Sequence, residues 1–143
     1  MATEKTARAT WDGDLLDGSG HVKTGSGSVD TDMSWAARAQ DVEGASPEEL
    51  IAAAHATCVS MVLAAGLAKA GTPPKRLETE ATTAFDQVGE GFKLTSVRLT
   101  VRGEVDGVDE EAFRVAAEDA KENCPVSQAL KGNVEITIDA SLG

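Results

Sequence analysis

Tyrosine is absent from this chain, and only 3% of its 143 residues are aromatic. Alanine, valine, leucine and isoleucine must therefore fill the core, and the 41% apolar content is enough to build one. Positive charge is scarce too. Thirteen Lys and Arg stand against 24 Asp and Glu, a net charge of −11. Nucleic acid and anionic membrane surfaces are poor partners for such a chain, because phosphate binding needs Lys and Arg. The acids are spread along the sequence, so they read as a solvated surface of a kind suited to high salt. Histidine is limited to His21 and His55, and no CxxC is present, which leaves little support for a metal site. No charged segment followed by an apolar stretch opens the chain, and no apolar run is read as reaching the ~18 residues of a membrane span. The expected location is the cytoplasm, with no membrane partner. The length fits a single domain over residues 1–143.

Cysteine is almost absent, and what there is stands out. Cys58 and Cys124 are the only two, 66 positions apart. Reducing compartments disfavour permanent structural disulfides, so a cysteine pair there is more often catalytic, redox-sensing or metal-binding.

Three parts are legible. Residues 6–40 read as β-rich: Ala7–Trp11 alternates, Asp17-Gly18-Ser19-Gly20 is a turn, His21–Thr24 is extended, and a further short segment surrounds Ser34–Arg38. A long helix follows over about 48–70. Ser46 is its N-cap, Pro47 suits the first position, Glu49 completes a capping box, and Gly71-Thr72-Pro73-Pro74 ends it. It is apolar or small nearly all round, so it should be buried and wrapped by sheet or by a second subunit. The third part holds a hairpin, Leu77–Val88 and Phe92–Val105 joined by Gly89-Glu90-Gly91. A helix over Asp109–Glu122, a short helix over 125–131 and a strand over Val134–Ile138 complete it. This order predicts an α+β fold, with helices packed against a mostly antiparallel sheet.

Cys58 lies within the long helix, where a thiol in apolar surroundings is commonly a small hydrophobe with a raised pKa. To act as a nucleophile it needs a positive charge. His55 shares its face at i−3, against the alternative of a partly buried, hydrogen-bonded side chain. Arg38, isolated between Ala37 and Ala39, is the better candidate, because guanidinium stays charged when buried; the alternative is an ordinary surface arginine on a strand. Cys124, just before Pro125, sits near the N-cap of the short helix, where the dipole favours a thiolate; the alternative is a buried turn cysteine.

Ser46-Pro47-Glu48-Glu49-Leu50-Ile51-Ala52-Ala53-Ala54-His55-Ala56-Thr57-Cys58, together with Asn123-Cys124-Pro125-Val126-Ser127-Gln128-Ala129-Leu130, resembles the OsmC/Ohr family of thiol-dependent peroxidases. Ala9-Thr10-Trp11-Asp12-Gly13-Asp14 and Gly18-Ser19-Gly20 resemble the OsmC branch in particular. The resemblance covers nearly the whole chain. It implies an intertwined α+β homodimer with two sites at the subunit interface, and reduction of organic hydroperoxides in an oxidative stress response. It further implies that Cys58 attacks the peroxide, that Cys124 resolves the product as a disulfide, and that Arg38 and Glu48 activate the thiolate. Arg38 matches the OsmC-branch placement, on the segment before the long helix; in the Ohr branch the corresponding arginine lies nearer the N-terminus, where Arg8 is the only option in this chain. The implied reductant is a dihydrolipoyl group, free or protein-bound, and no resident cofactor is implied. Val59 stands where relatives often carry an aromatic residue, a departure that bears on pocket shape.

An arginine beside Cys58 would lower its pKa by ~1–3 units. Glu48 and Cys58 are ten positions apart on one helix, which is ~15 Å along its axis. Glu48 is therefore expected to orient Arg38 at the partner subunit's site. Two other functions fit parts of the pattern: a Cys58–His55 acyl-transfer enzyme, and a non-catalytic dimeric module that binds an apolar ligand.

Overall fold

A computed structural model describes residues 1–143 and places ten elements on the chain. Two compact units divide it, Met1–Leu50 and Ile51–Gly143.

The first unit carries a three-stranded antiparallel sheet in the order β1 (Ala7–Asp12), β2 (Ser19–Thr24), β3 (Asp30–Met33). The β1–β2 connection is shaped by Trp11. Its indole N–H donates to the Asp14 carbonyl at 3.0 Å, and its ring lies over Gly20, where an added Cβ would come within 2.5 Å of a ring carbon. Only glycine leaves room for the indole there. β3 is not legible in the sequence, since Asp30-Thr31-Asp32-Met33 lacks apolar alternation. It pairs with β2 through the backbone, from Gly20 opposite Met33 to Lys23 opposite Asp30, and cross-strand side chains add to the pairing: His21 Nε2 meets Asp30 Oδ1 at 2.5 Å and His21 Nδ1 meets Asp32 Oδ1 at 2.7 Å. The segment around Ser34–Arg38, expected to be extended, is the helix α1 (Trp35–Ala39). Ser34 Oγ accepts from the Ala37 N–H at 3.0 Å, so a side-chain cap initiates a turn that hydrophobic pattern does not announce.

The helix α2 (Pro47–Lys69) begins as expected, with Ser46 Oγ accepting from the Glu49 N–H at 3.1 Å. It ends where Gly71 adopts φ of 89° and the Thr72 N–H returns to the Leu67 carbonyl at 2.9 Å. Its burial is narrower than its composition suggests. The fully covered positions His55, Val59, Leu63 and Leu67 follow one another at i+4, so within the chain one stripe is packed and the flanks are part-covered or open, as at Met61, 67% exposed. By length and composition α2 is also apolar enough to cross a membrane, contrary to the reading that no run reaches that length; core helices pass the same test.

In the second unit β4 (Arg76–Val88), β5 (Gly91–Glu104) and β6 (Glu135–Leu142) form a second sheet in that order. β4 and β5 are the expected hairpin, with Gly89 at φ of 62° in its turn. β6 runs parallel to β5, so the sheet is mixed, while the other three pairings between strands are antiparallel. The parallel return needs a crossover, supplied by α3 (Glu110–Asn123) and α4 (Pro125–Leu130). Asp109 caps α3 through the Ala112 N–H at 2.7 Å. Val97, Leu99 and Val101 of β5 alternate inward. Against them pack Val59, Leu63 and Leu67 of α2 and Phe113, Ala117 and Ala120 of α3. At Gly103 the Phe113 ring takes the place of a side chain, since an added Cβ would lie 2.5 Å from its Cζ.

Candidate active site

Cys58 and Cys124 are brought together. Cys58 lies midway along α2, adjoining the covered stripe, and is part-buried. Cys124 sits at the α3–α4 junction, closing one helix and opening the next, and is fully buried. Both are free thiols, and their sulfur atoms are hydrogen-bonding neighbours. The Val126 backbone N–H points at the Cys58 sulfur from the first turn of α4. Burial pushes the Cys58 thiol up, and contact with the Cys124 thiol pushes it further; the Val126 N–H pulls the other way. Cys124 makes no side-chain capping bond to α4, although it occupies the cap position the sequence assigned it. The two thiols are thus neighbours in the folded chain, while burial favours the protonated form of Cys58.

His55 does not supply the missing charge. Its ring is fully buried, and burial pushes its pKa down, so it is neutral near pH 7. Nε2 shares a 2.6 Å hydrogen bond with Ser127 Oγ, and Nδ1 is buried without a hydrogen-bond partner. The reading of His55 as a cation for Cys58 is therefore corrected, because desolvation disfavours imidazolium. The Cys58–His55 acyl-transfer reading gains no support, because neither ring nitrogen hydrogen-bonds Cys58: Nε2 is engaged with Ser127 and Nδ1 has no hydrogen-bond partner.

Arg38 and Glu48 pair within the first unit. Arg38 Nε donates to both Glu48 carboxylate oxygens at 3.1 and 3.2 Å, and Nη2 donates to Oε1 at 2.9 Å. The bidentate geometry fixes the guanidinium plane. The Glu48 side chain is 10% exposed and that of Arg38 37%, so the carboxylate forms the base of the pair and the guanidinium its open side. Glu48 stands in the first turn of α2, where the helix dipole favours an anion. Arg38 borders a cavity of about 540 Å³ whose walls include Trp11, Leu15, Val22, Met33, Trp35 and Leu50. The cavity is apolar apart from a few groups such as Arg38 and His21. Arg8, the other arginine considered, lines a separate groove beside Lys23.

Two groups escaped the sequence analysis: Ser127, the partner of His55, and the Val126 N–H. A signal for Ser127 was available, since it follows Cys124 by three positions as His55 precedes Cys58 by three.

The OsmC-like protein family model matches residues 39–139. Peroxiredoxin OsmC of Escherichia coli (strain K12) is 40% identical over 143 residues, covering 99% of each chain. Organic hydroperoxide resistance protein OhrA of Bacillus subtilis (strain 168) is 33% identical over 118 residues, 79% of each chain. Among solved structures, an organic hydroperoxide resistance protein from Elizabethkingia anophelis, with crystallant-derived thiocyanate bound, superposes with a TM-score of 0.78. It is 28% identical, with all of both chains covered. Family model, full-length relative and solved fold agree with one another: this chain belongs to the OsmC family.

Proposed function

We propose that this protein is a two-cysteine peroxidase that reduces organic hydroperoxides to alcohols in the cytoplasm, as part of an oxidative stress response. The observation that carries the reading is the adjacency of the Cys58 and Cys124 sulfurs. The names of the relatives, peroxiredoxin and organic hydroperoxide resistance protein, point the same way. The Cys58 thiolate attacks the distal peroxide oxygen; an S–O bond forms, the O–O bond breaks, and the alkoxide takes a proton and leaves as alcohol. The resulting sulfenic acid condenses with the Cys124 thiol, releasing water and forming the Cys58–Cys124 disulfide. A small dithiol, a dihydrolipoyl group, then reduces the disulfide and closes into its own disulfide. No resident cofactor takes part.

Arg38 supplies the charge that the isolated chain does not place on Cys58. It favours thiolate and donates hydrogen bonds to the peroxide oxygens as charge grows on the leaving one. The apolar cavity it borders suits the alkyl part of an organic hydroperoxide. Since Glu48 grips Arg38 in the same chain and ten helical residues span ~15 Å, we assign the pair to the site of a partner subunit in a homodimer. Mixed dimers of Glu48→Ala and Cys58→Ser chains test the assignment. If the pair acts across the interface, both lesions fall in one site and half the activity remains; complete loss sinks it.

The first test of the function counts free thiols after one equivalent of cumene hydroperoxide. Both thiols should be lost within a chain and return with dihydrolipoamide, and the single remaining thiol, Cys124, should survive in Cys58→Ser. Survival of both in the wild type would withdraw the peroxidase and favour the apolar-ligand module.

A further inference from the structure

We infer that His55 and Ser127 form a buried latch that sets the Cys58–Cys124 pairing, and that they are positioning residues for the disulfide step. The inference rests on the two-cysteine reading above and adds to it what holds the cysteines in reach.

The latch is placed symmetrically about the two sulfurs. His55 lies one turn before Cys58 on α2, and Ser127 one turn after Cys124 on α4. Their 2.6 Å hydrogen bond ties the two helices together beside the thiols. His55 is fully buried and Ser127 is 3% exposed, so water competes little for either group. α4 has only six residues and no side-chain cap at Cys124, and it depends on outside contacts to keep its place. The same first turn carries the Val126 N–H that points at Cys58, so a shift of α4 would move both Cys124 and this donor.

The choice of residue argues against mere packing. His55 continues the stripe of Val59, Leu63 and Leu67, where leucine would complete an apolar surface. Histidine leaves Nδ1 buried and unpaired, which costs stability. A group kept at a cost to stability, with its other nitrogen aimed at the neighbouring active-site helix, is accounted for by registering that helix. Burial disfavours the charged ring, so the hydrogen bond to Ser127 is one of neutral imidazole near pH 7.

A disulfide needs its Cα atoms within about 4.4–6.8 Å. A latch that holds the thiols near that geometry raises their effective concentration and stabilises the disulfide relative to the dithiol. The experiment equilibrates full-length protein with dithiothreitol redox buffers and, separately, traps sulfenic acid with dimedone after one equivalent of cumene hydroperoxide. Two matched comparisons isolate the hydroxyl: wild type against Ser127→Ala, and Ser127→Thr against Ser127→Val. Loss of the hydroxyl should lower the equilibrium constant for the disulfide about tenfold, a potential ~30 mV less negative, and should increase trapped sulfenic acid. Ser127→Thr should restore both. If Ala and Val match their hydroxyl-bearing counterparts in both readouts, the latch is overturned. If the wild type itself forms no disulfide, the two-cysteine reading falls and takes the latch with it.

Discussion

At the scale of single residues, the two histidines titrate in opposite senses. His21 is raised by its hydrogen bonds to Asp32 and Asp30, so the folded state binds its proton more tightly than the unfolded chain does. That contribution is complete below ~6.5 and is lost as pH rises through the raised folded value. It is small, because the site is exposed and solvent screens it. His55 is lowered by burial, so its contribution is complete above ~6.5 and is lost as pH falls toward the lowered folded value. Urea midpoints measured from pH 5 to 8.5 should therefore fall on both sides of neutrality. His21→Gln should flatten the alkaline side alone. Glu48→Gln removes the anion that fixes Arg38 in plane. Weakening a charge-assisted pair of about 1.5–3 kcal/mol should lower kcat/KM by roughly 10–100-fold, with the fold unchanged by circular dichroism. Both site pairs were partly legible: Arg38, Glu48, Cys58 and Cys124 through motif likeness, His55 through its spacing from Cys58. Which partner each would take was not, because Ser127 and Val126 reach α2 only through the crossover.

Among elements, those with strong local signals fell where the sequence placed them. Ser46 and Pro47 start α2, Asp109 caps α3, and Gly89 turns the β4–β5 hairpin. The misses are elements whose cause is tertiary or a single cap. β3 rests on its backbone pairing with β2, with His21 bridging two aspartates beside it, and α1 starts where Ser34 caps it. The parallel sense of β6 follows from a crossover that no residue of β6 encodes. The packing of the second unit gives two stability predictions. Leu63→Ala, at a 1% exposed position of the α2 stripe, should cost about 2–5 kcal/mol in denaturant unfolding. Gly103→Ala forces a methyl into the Phe113 ring and should cost about 1–3 kcal/mol; a neutral result would mean that the ring can yield.

For the whole molecule, the open flanks of α2 are the dominant fact. The helix is apolar throughout, yet little of it is covered by its own chain. Every residue of the edge strand β1 is exposed as well. The sequence indicated that α2 needs cover but could not divide that cover between sheet and second subunit, since an all-round apolar helix carries no periodicity to orient it. Association is the expected consequence. Met61→Asp is a surface change of about 0.5 kcal/mol or less if Met61 faces water. If a second copy covers it, the substitution should convert a dimer to monomer in sedimentation velocity and abolish activity; an unchanged sedimentation coefficient would place the interface elsewhere.

The position of Cys124 on the crossover also bears on synthesis. Cys58 is made 66 residues before its partner, and the α3–α4 segment that delivers Cys124 comes after the whole hairpin. At roughly 5–20 residues per second, a nascent chain carries the first thiol for some seconds with no second one to shield it. During that interval oxidation of Cys58 has no internal remedy. Nor does the unfinished chain have what holds the thiol protonated in the finished one, since burial and the contact with Cys124 both arrive with the fold. Cys58 is therefore more open to oxidation on the nascent chain than in the folded protein.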